Sequence, residues 1–161
     1  MTHSPQHSWA IIATFGLSLM LVVMPLPSWA LAWRPEWTTL VLIYWCMALP
    51  HRVGVASGWG VGLIQDVLTG TLLGQQALSL ALSAYMTLQI HRRLRIYPIY
   101  QQMLIIFFIV VISELPNLWV RGLQGHPPQN IEFIYSSVSS LILWPWIFTG
   151  LRMWRRALQI S

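Results

Sequence analysis

The run Met103-Leu104-Ile105-Ile106-Phe107-Phe108-Ile109-Val110-Val111-Ile112 holds ten apolar residues without interruption. It has no polar side, so it matches neither an amphipathic surface helix nor the alternating pattern of a barrel strand. It reads as the heart of a membrane-crossing helix that begins near Pro98 and is followed by Glu114 and Pro116. The rest of the chain has the same character. Of 161 residues, 56% are hydrophobic and only 8% are charged, and the mean hydropathy is +0.60, so a well-solvated globular surface cannot be assembled and a soluble monomer is excluded.

Working outward, the sequence divides into six apolar stretches, at residues 9–24, 36–52, 53–68, 72–90, 98–120 and 133–151. The expected fold is an all-α integral membrane protein, a six-transmembrane-helix bundle forming one multi-pass domain over residues 1–161. The first stretch stops at Pro25 and Pro27. No Lys or Arg precedes it, as a secretory leader requires, although Ser28-Trp29-Ala30 loosely matches a cleavage site; an uncleaved span is expected. Trp29, Trp33 and Trp37 mark a membrane interface. The second stretch is short: its apolar core reaches only about 20 Å against a hydrocarbon thickness near 30 Å. Crossing there calls for its ends as far as Val53, or for local thinning of the bilayer. His91 to Arg95 is expected to be a basic loop, and residues 121–132, with Gly122, Gly125, Pro127 and Pro128, a turn-rich connection.

All nine positive residues are arginine, against four acids, for a net charge of +5. The total is too small and dispersed for nucleic-acid binding, but its distribution fits the positive-inside rule. Six crossings with both termini in the cytoplasm put Arg52, Arg92, Arg93, Arg95, Arg152, Arg155 and Arg156 inside and Arg34 and Arg121 outside. Five crossings with the amino terminus outside, the second stretch only dipping into the membrane, suit the charges equally well. Cys46 excludes an internal disulfide and reads as an apolar filler.

A carboxylate within a bilayer is costly, so each acid is considered singly. Asp66 is expected near the same outer surface as Arg34, either paired with it, fixing the second and third spans together, or solvated by headgroup water. Glu114, beside Pro116 and Asn117, reads as a hydrogen-bonding packing residue ahead of a proton relay. Gly54-x-x-x-Gly58-x-x-x-Gly62 marks a face where two helix backbones approach closely, with Ala77, Ala81 and Ala84 of the fourth span, or another protein, as its neighbour. Gly70 and Gly74 bracket the turn that follows. Trp144-Pro145-Trp146 puts a proline inside the last span, a kink whose aromatics either pack internally or present a binding groove. Ser57-Gly58 matches only part of an intramembrane serine-protease motif. No metal-binding spacing appears and no phosphate-cradling lysine loop is possible, so no enzyme, cofactor or metal is expected.

Arg34-Pro35-x-Trp37, the run closing in Leu49-Pro50-His51-Arg52-Val53, Asp66 with Gly70 and Leu73-Gly74, and Leu143-Trp144-Pro145-Trp146-Ile147-Phe148 resemble, in order and spacing, the MreD family of rod shape-determining membrane proteins. The resemblance runs from about Trp9 to the last arginines. It implies a component of the bacterial cytoplasmic (inner) membrane without catalysis, scaffolding cell elongation. The implied partners are MreC most directly, then the actin-like MreB and the elongation glycosyltransferase RodA with its transpeptidase in the same complex; membrane lipid is expected separately, because Arg92, Arg93, Arg95, Arg152, Arg155 and Arg156 suit anionic lipid or an acidic cytoplasmic partner. It gives Glu36 and Glu114 no role. The family is also similar in architecture to the S-components of energy-coupling factor transporters. That implies a second reading, a small-molecule-binding transporter subunit with a polar central cavity, for which Gln65, Gln75, Gln76 and Glu114 are the candidate side chains.

Overall fold

A computed structural model of the chain describes residues 8–25, 27, 37–50, 53–70, 73–125 and 132–157. Among the described residues there are six helices and no strand: α1 (Ser8–Val23), α2 (Trp37–Ala48), α3 (Val55–Thr69), α4 (Gln75–Ile96), α5 (Ile99–Leu123) and α6 (Glu132–Ala157). Prolines and glycines set most of the boundaries. Helices α1 and α2 end just ahead of Pro25 and Pro50, because a proline disfavours helical backbone at the residue before it. Tyr97 is extended for the same reason (ψ 144°), and Pro98 then opens α5 by accepting bonds from the Gln101 and Gln102 amides at 3.0 and 3.1 Å.

Two expected boundaries are corrected. His91 to Arg95 is not a loop but part of the last turn and a half of α4, which runs on to Ile96 because arginine is a good helix former and its charge suits a helix C-terminus. The second helix, in turn, stops at Ala48, short of Val53.

That short helix is the centre of the packing. Every residue of α2 from Thr38 to Met47 is buried, and α1, α4 and α6 all pack against it. This explains why its sequence is apolar on every side: a helix enclosed all round has no polar face to present. The Trp45 indole Nε1 donates to Thr14 Oγ1 at 2.9 Å, tying α2 to α1. Tyr44 meets Phe148 edge-on at 5.8 Å, and Phe148 meets Trp144 at 5.7 Å, tying α2 to α6. Twelve residues give α2 a length of about 18 Å, whereas the 25 and 26 residues of α5 and α6 reach about 38 Å.

The distribution of polarity is the reverse of a water-soluble protein. Thr14, Ser18, Ser83, Thr87, Ser113 and Ser140 are buried, each bonded to a carbonyl of its own helix at 2.7–2.9 Å. Outside stand Ile12, Met20, Val67, Ile96, Trp119, Leu123 and Trp146. Such an exterior is stable against hydrocarbon and is an aggregation surface in water. Helices α5 and residues Ile134–Ala157 of α6 are long and apolar enough to cross a membrane.

Helices α3 and α4 form an antiparallel hairpin packed through the glycine face. A Cβ on Gly58 would stand 3.0 Å from both the Leu80 carbonyl oxygen and Leu42 Cδ2. On Gly62 it would overlap the Ala77 backbone and stand 2.8 Å from the Gln76 carbonyl carbon, so no side chain fits. Gly54 is looser, with Leu88 Cδ1 at 3.6 Å, and Gly60 faces open space. The neighbour of the glycine face is therefore internal, chiefly α4 at Ala77 and Leu80. Gly62→Ala is expected to force the two backbones apart and cost about 1–3 kcal/mol. Gly60→Ala should change stability by less than about 1 kcal/mol. Thermal melting of the two variants in detergent checks this; equal midpoints would remove the close approach as a constraint.

Candidate functional site

Two places bring polar groups together inside this apolar molecule. The first lies at the turn of the α3–α4 hairpin. Asp66 is one helical turn beyond Gly62 and 1% exposed. Its carboxylate accepts bonds from the backbone amides of Gly74 at 2.8 Å (Oδ2), Gln76 at 2.9 Å (Oδ1) and Ala77 at 3.5 Å (Oδ2). These amides open α4 and have no partners within their own helix, so a residue of the preceding helix caps α4 from the side and sets a negative group against its positive dipole end. The turn geometry depends on glycine at two positions. Gly70 takes φ +71° while donating to the Asp66 carbonyl, and Gly74 takes φ +100° while presenting its amide to the Asp66 side chain. Arg34, the expected ion-pair partner of Asp66, lies outside the described residues.

The second place is at the opposite end of the same helices. Arg95 Nε and Nη2 donate to the Met47 and Ala48 carbonyls at 2.7 and 2.8 Å, closing the C-terminus of α2 with a cation from α4. Around that contact lie two adjoining cavities of about 560 and 490 Å³. Arg95, Gln102, Phe148 and Arg152 line both; Tyr44 and Arg155 belong to the first and Arg156 to the second. Gln102 spans the α4–α5 joint, with Nε2 donating to the Leu94 carbonyl at 2.6 Å and the Tyr97 carbonyl at 3.2 Å. In the sequence the arginines stood out as topology signals and as charge for anionic lipid or an acidic partner, but nothing there made them the lining of a cavity. Tyr44 and Gln102 carried no signal at all, because their place in a cavity comes from where α2 stops.

The other residues singled out in the sequence separate. Trp144 is 0% exposed while Trp146 is 75% exposed, so the two indoles sit on opposite sides of α6 and do not form one groove. Helix α6 runs unbroken through Pro145. On α5, Asn117 Nδ2 donates to Glu114 Oε2 at 3.3 Å within the same helix. Gln65 stands beside Asp66 near the end of α3 and Gln75 and Gln76 open α4 across the same turn, while the buried α2 packs against α1, α4 and α6. Among the described residues no group of His, Cys, Asp and Glu has metal-ligand geometry.

Asp66→Ala strips the acceptor from three amides and is expected to lower stability by about 1–3 kcal/mol, with Asp66→Asn losing less because its amide oxygen still accepts. Melting in detergent orders the three proteins, and an Asp66→Ala midpoint at or above that of Asp66→Asn would dismiss the cap.

The comparisons with known proteins agree with one another. A family model described as rod shape-determining protein MreD matches residues 5–154. A curated relative, "Rod shape-determining protein MreD" of Haemophilus influenzae, is 29% identical over 152 residues, covering 94% of each chain. No solved structure matches. A match over nearly the whole length, with the apolar exterior and the two helices able to cross a membrane, carries the assignment: the chain belongs to the MreD family of rod shape-determining proteins.

Proposed function

We propose that this protein is a non-enzymatic scaffold of the bacterial inner membrane, one domain crossing six times with both termini in the cytoplasm, that holds the membrane anchor of MreC and helps place peptidoglycan synthesis during elongation. Family membership is the observation that carries the reading. The orientation is supported by charge at the two ends of the bundle. Arg92, Arg93, Arg95, Arg152, Arg155 and Arg156 gather where α4 and α6 finish. Trp9, at the start of α1, meets Trp154 at that same end, ring centres 6.5 Å apart and planes tilted by 57°. Asp66 and Arg121 mark the other end. By the positive-inside rule the arginine-rich end is cytoplasmic. MreB, RodA and its transpeptidase are then members of the same assembly, and Arg34 and Asp66 are proposed to pair on the outer side.

With the glycine face closed by α4, partner helices must be read from outward residues such as Trp146. Photocrosslinkers placed at Trp146 are expected to capture MreC, and those at Trp144 and Ala77 are not. Depletion should round rod-shaped cells, and an amino-terminal fusion to a reporter that fluoresces only in the cytoplasm should glow. A depleted strain that stays rod-shaped, or MreC absent from the detergent-purified protein, would overturn the scaffold; a dark reporter would overturn the orientation.

A further inference from the structure

The arginine-rich recess has its cause in helix length. Helix α2 stops at Ala48 while α4 and α6 continue to Ile96 and Ala157, so the end of the central helix becomes the floor of a depression walled by longer neighbours. Among the described residues, every charged side chain lining it is an arginine: Arg95, Arg152, Arg155 and Arg156. Like charges held together beside apolar walls repel strongly, and an anion seated among them relieves that repulsion. Arg95 is already oriented by the Met47 and Ala48 carbonyls, which leaves its other N–H groups for a ligand.

Two further polar atoms belong to the same recess. Tyr44 and Gln102 both line it and both are buried. The Tyr44 hydroxyl has no hydrogen-bond partner, nor has Gln102 Oε1, whose amide orientation is set by the two carbonyls that Nε2 bonds. A phenol donates to a phosphate oxygen, whereas an amide oxygen accepts from a hydroxyl. Apart from Tyr97 and Thr149 the remaining lining is apolar, with Met47, Leu49, Phe148, Ile99 and Met153, which suits an amphiphile better than an acidic peptide. A volume of about 560 Å³ is within the range of small-molecule sites.

We propose that this recess binds the phosphate and headgroup hydroxyls of an anionic phospholipid, drawn from the leaflet on the arginine side. The leaflet, though not the binding chemistry, rests on the orientation proposed above. The test uses the full chain purified in a zwitterionic detergent, with phosphatidylglycerol, phosphatidylcholine or inorganic phosphate added and retention read by native mass spectrometry. Phosphatidylglycerol should be retained and phosphatidylcholine should not. The double substitution Arg152→Gln with Arg155→Gln should weaken retention at least roughly tenfold, since each charge-assisted contact is worth about that factor or more. Arg152→Lys with Arg155→Lys should keep most of it, and Arg121→Gln, at the other end, should keep all of it.

Lipid-induced shifts in melting are compared with each variant's own lipid-free midpoint, so a merely destabilised variant is recognised. Equal retention of both lipids, or retention untouched by the double glutamine substitution, overturns the site. Inorganic phosphate stabilising as well as the lipid assigns the recess to a soluble phosphate, and displacement of lipid by an acidic peptide assigns it to a protein; either overturns the lipid source. No MreC is present in the assay, so its result stands or falls separately from the scaffold reading, and the reporter fusion tests the orientation.

Discussion

A helix too short for its surroundings organises this molecule. A buried backbone polar group needs an internal partner, yet α2 offers only twelve residues, and its last carbonyls fall short of the end reached by its neighbours. The chain meets this by enclosing α2 completely and bringing Arg95 from α4 to its terminal carbonyls. The rest of the arrangement follows from that enclosure. Helices α1, α4 and α6 must stand around the centre, α3 packs on the outside of α4, and the longer helices overhang the end of α2.

The opposite end of the bundle solves the complementary problem with a carboxylate. Asp66 serves the amides that begin α4 as Arg95 serves the carbonyls that end α2, and α4 supplies one side of both arrangements. The glycine face allows the first of these. Only with the backbones of Gly62 and Ala77 nearly in contact does a side chain as short as aspartate reach the first turn of the next helix. A stripe of small residues and a lone acid, which are separate features in the sequence, are thus parts of one joint.

Much of this was legible from residues alone, and what was not had physical reasons. The apolar runs fall on all six described helices, and the four-residue spacing of Gly54, Gly58 and Gly62 pointed to a packing face on which Gly58 and Gly62 meet α4 closely and Gly54 stands looser. The role of Asp66 was not legible: a cap that reaches across a turn needs the fold before its amides come near. The length of α4 was misjudged because arginines signal a loop to a hydropathy reading, although they can continue a helix while their stems lie along its side. Trp144 and Trp146, two positions apart, face different ways on a helix, so a shared groove was never compatible with unbroken α-geometry through Pro145. The recess escaped notice because it results from unequal lengths, which no motif encodes.

The contacts of Asp66 join residues only 8 to 11 positions apart, whereas Arg95 reaches back 48 positions to Met47. That difference imposes an order on biosynthesis. During synthesis α3 and α4 can clasp as soon as both have emerged, because little chain entropy opposes so local a closure. Helix α2 is made earlier, yet its last carbonyls wait for Arg95, and one side stays bare until α6 is made. This early segment is thus among the last to be completed, leaning on α1 alone until α4 is made and on α1 and α4 until α6 follows.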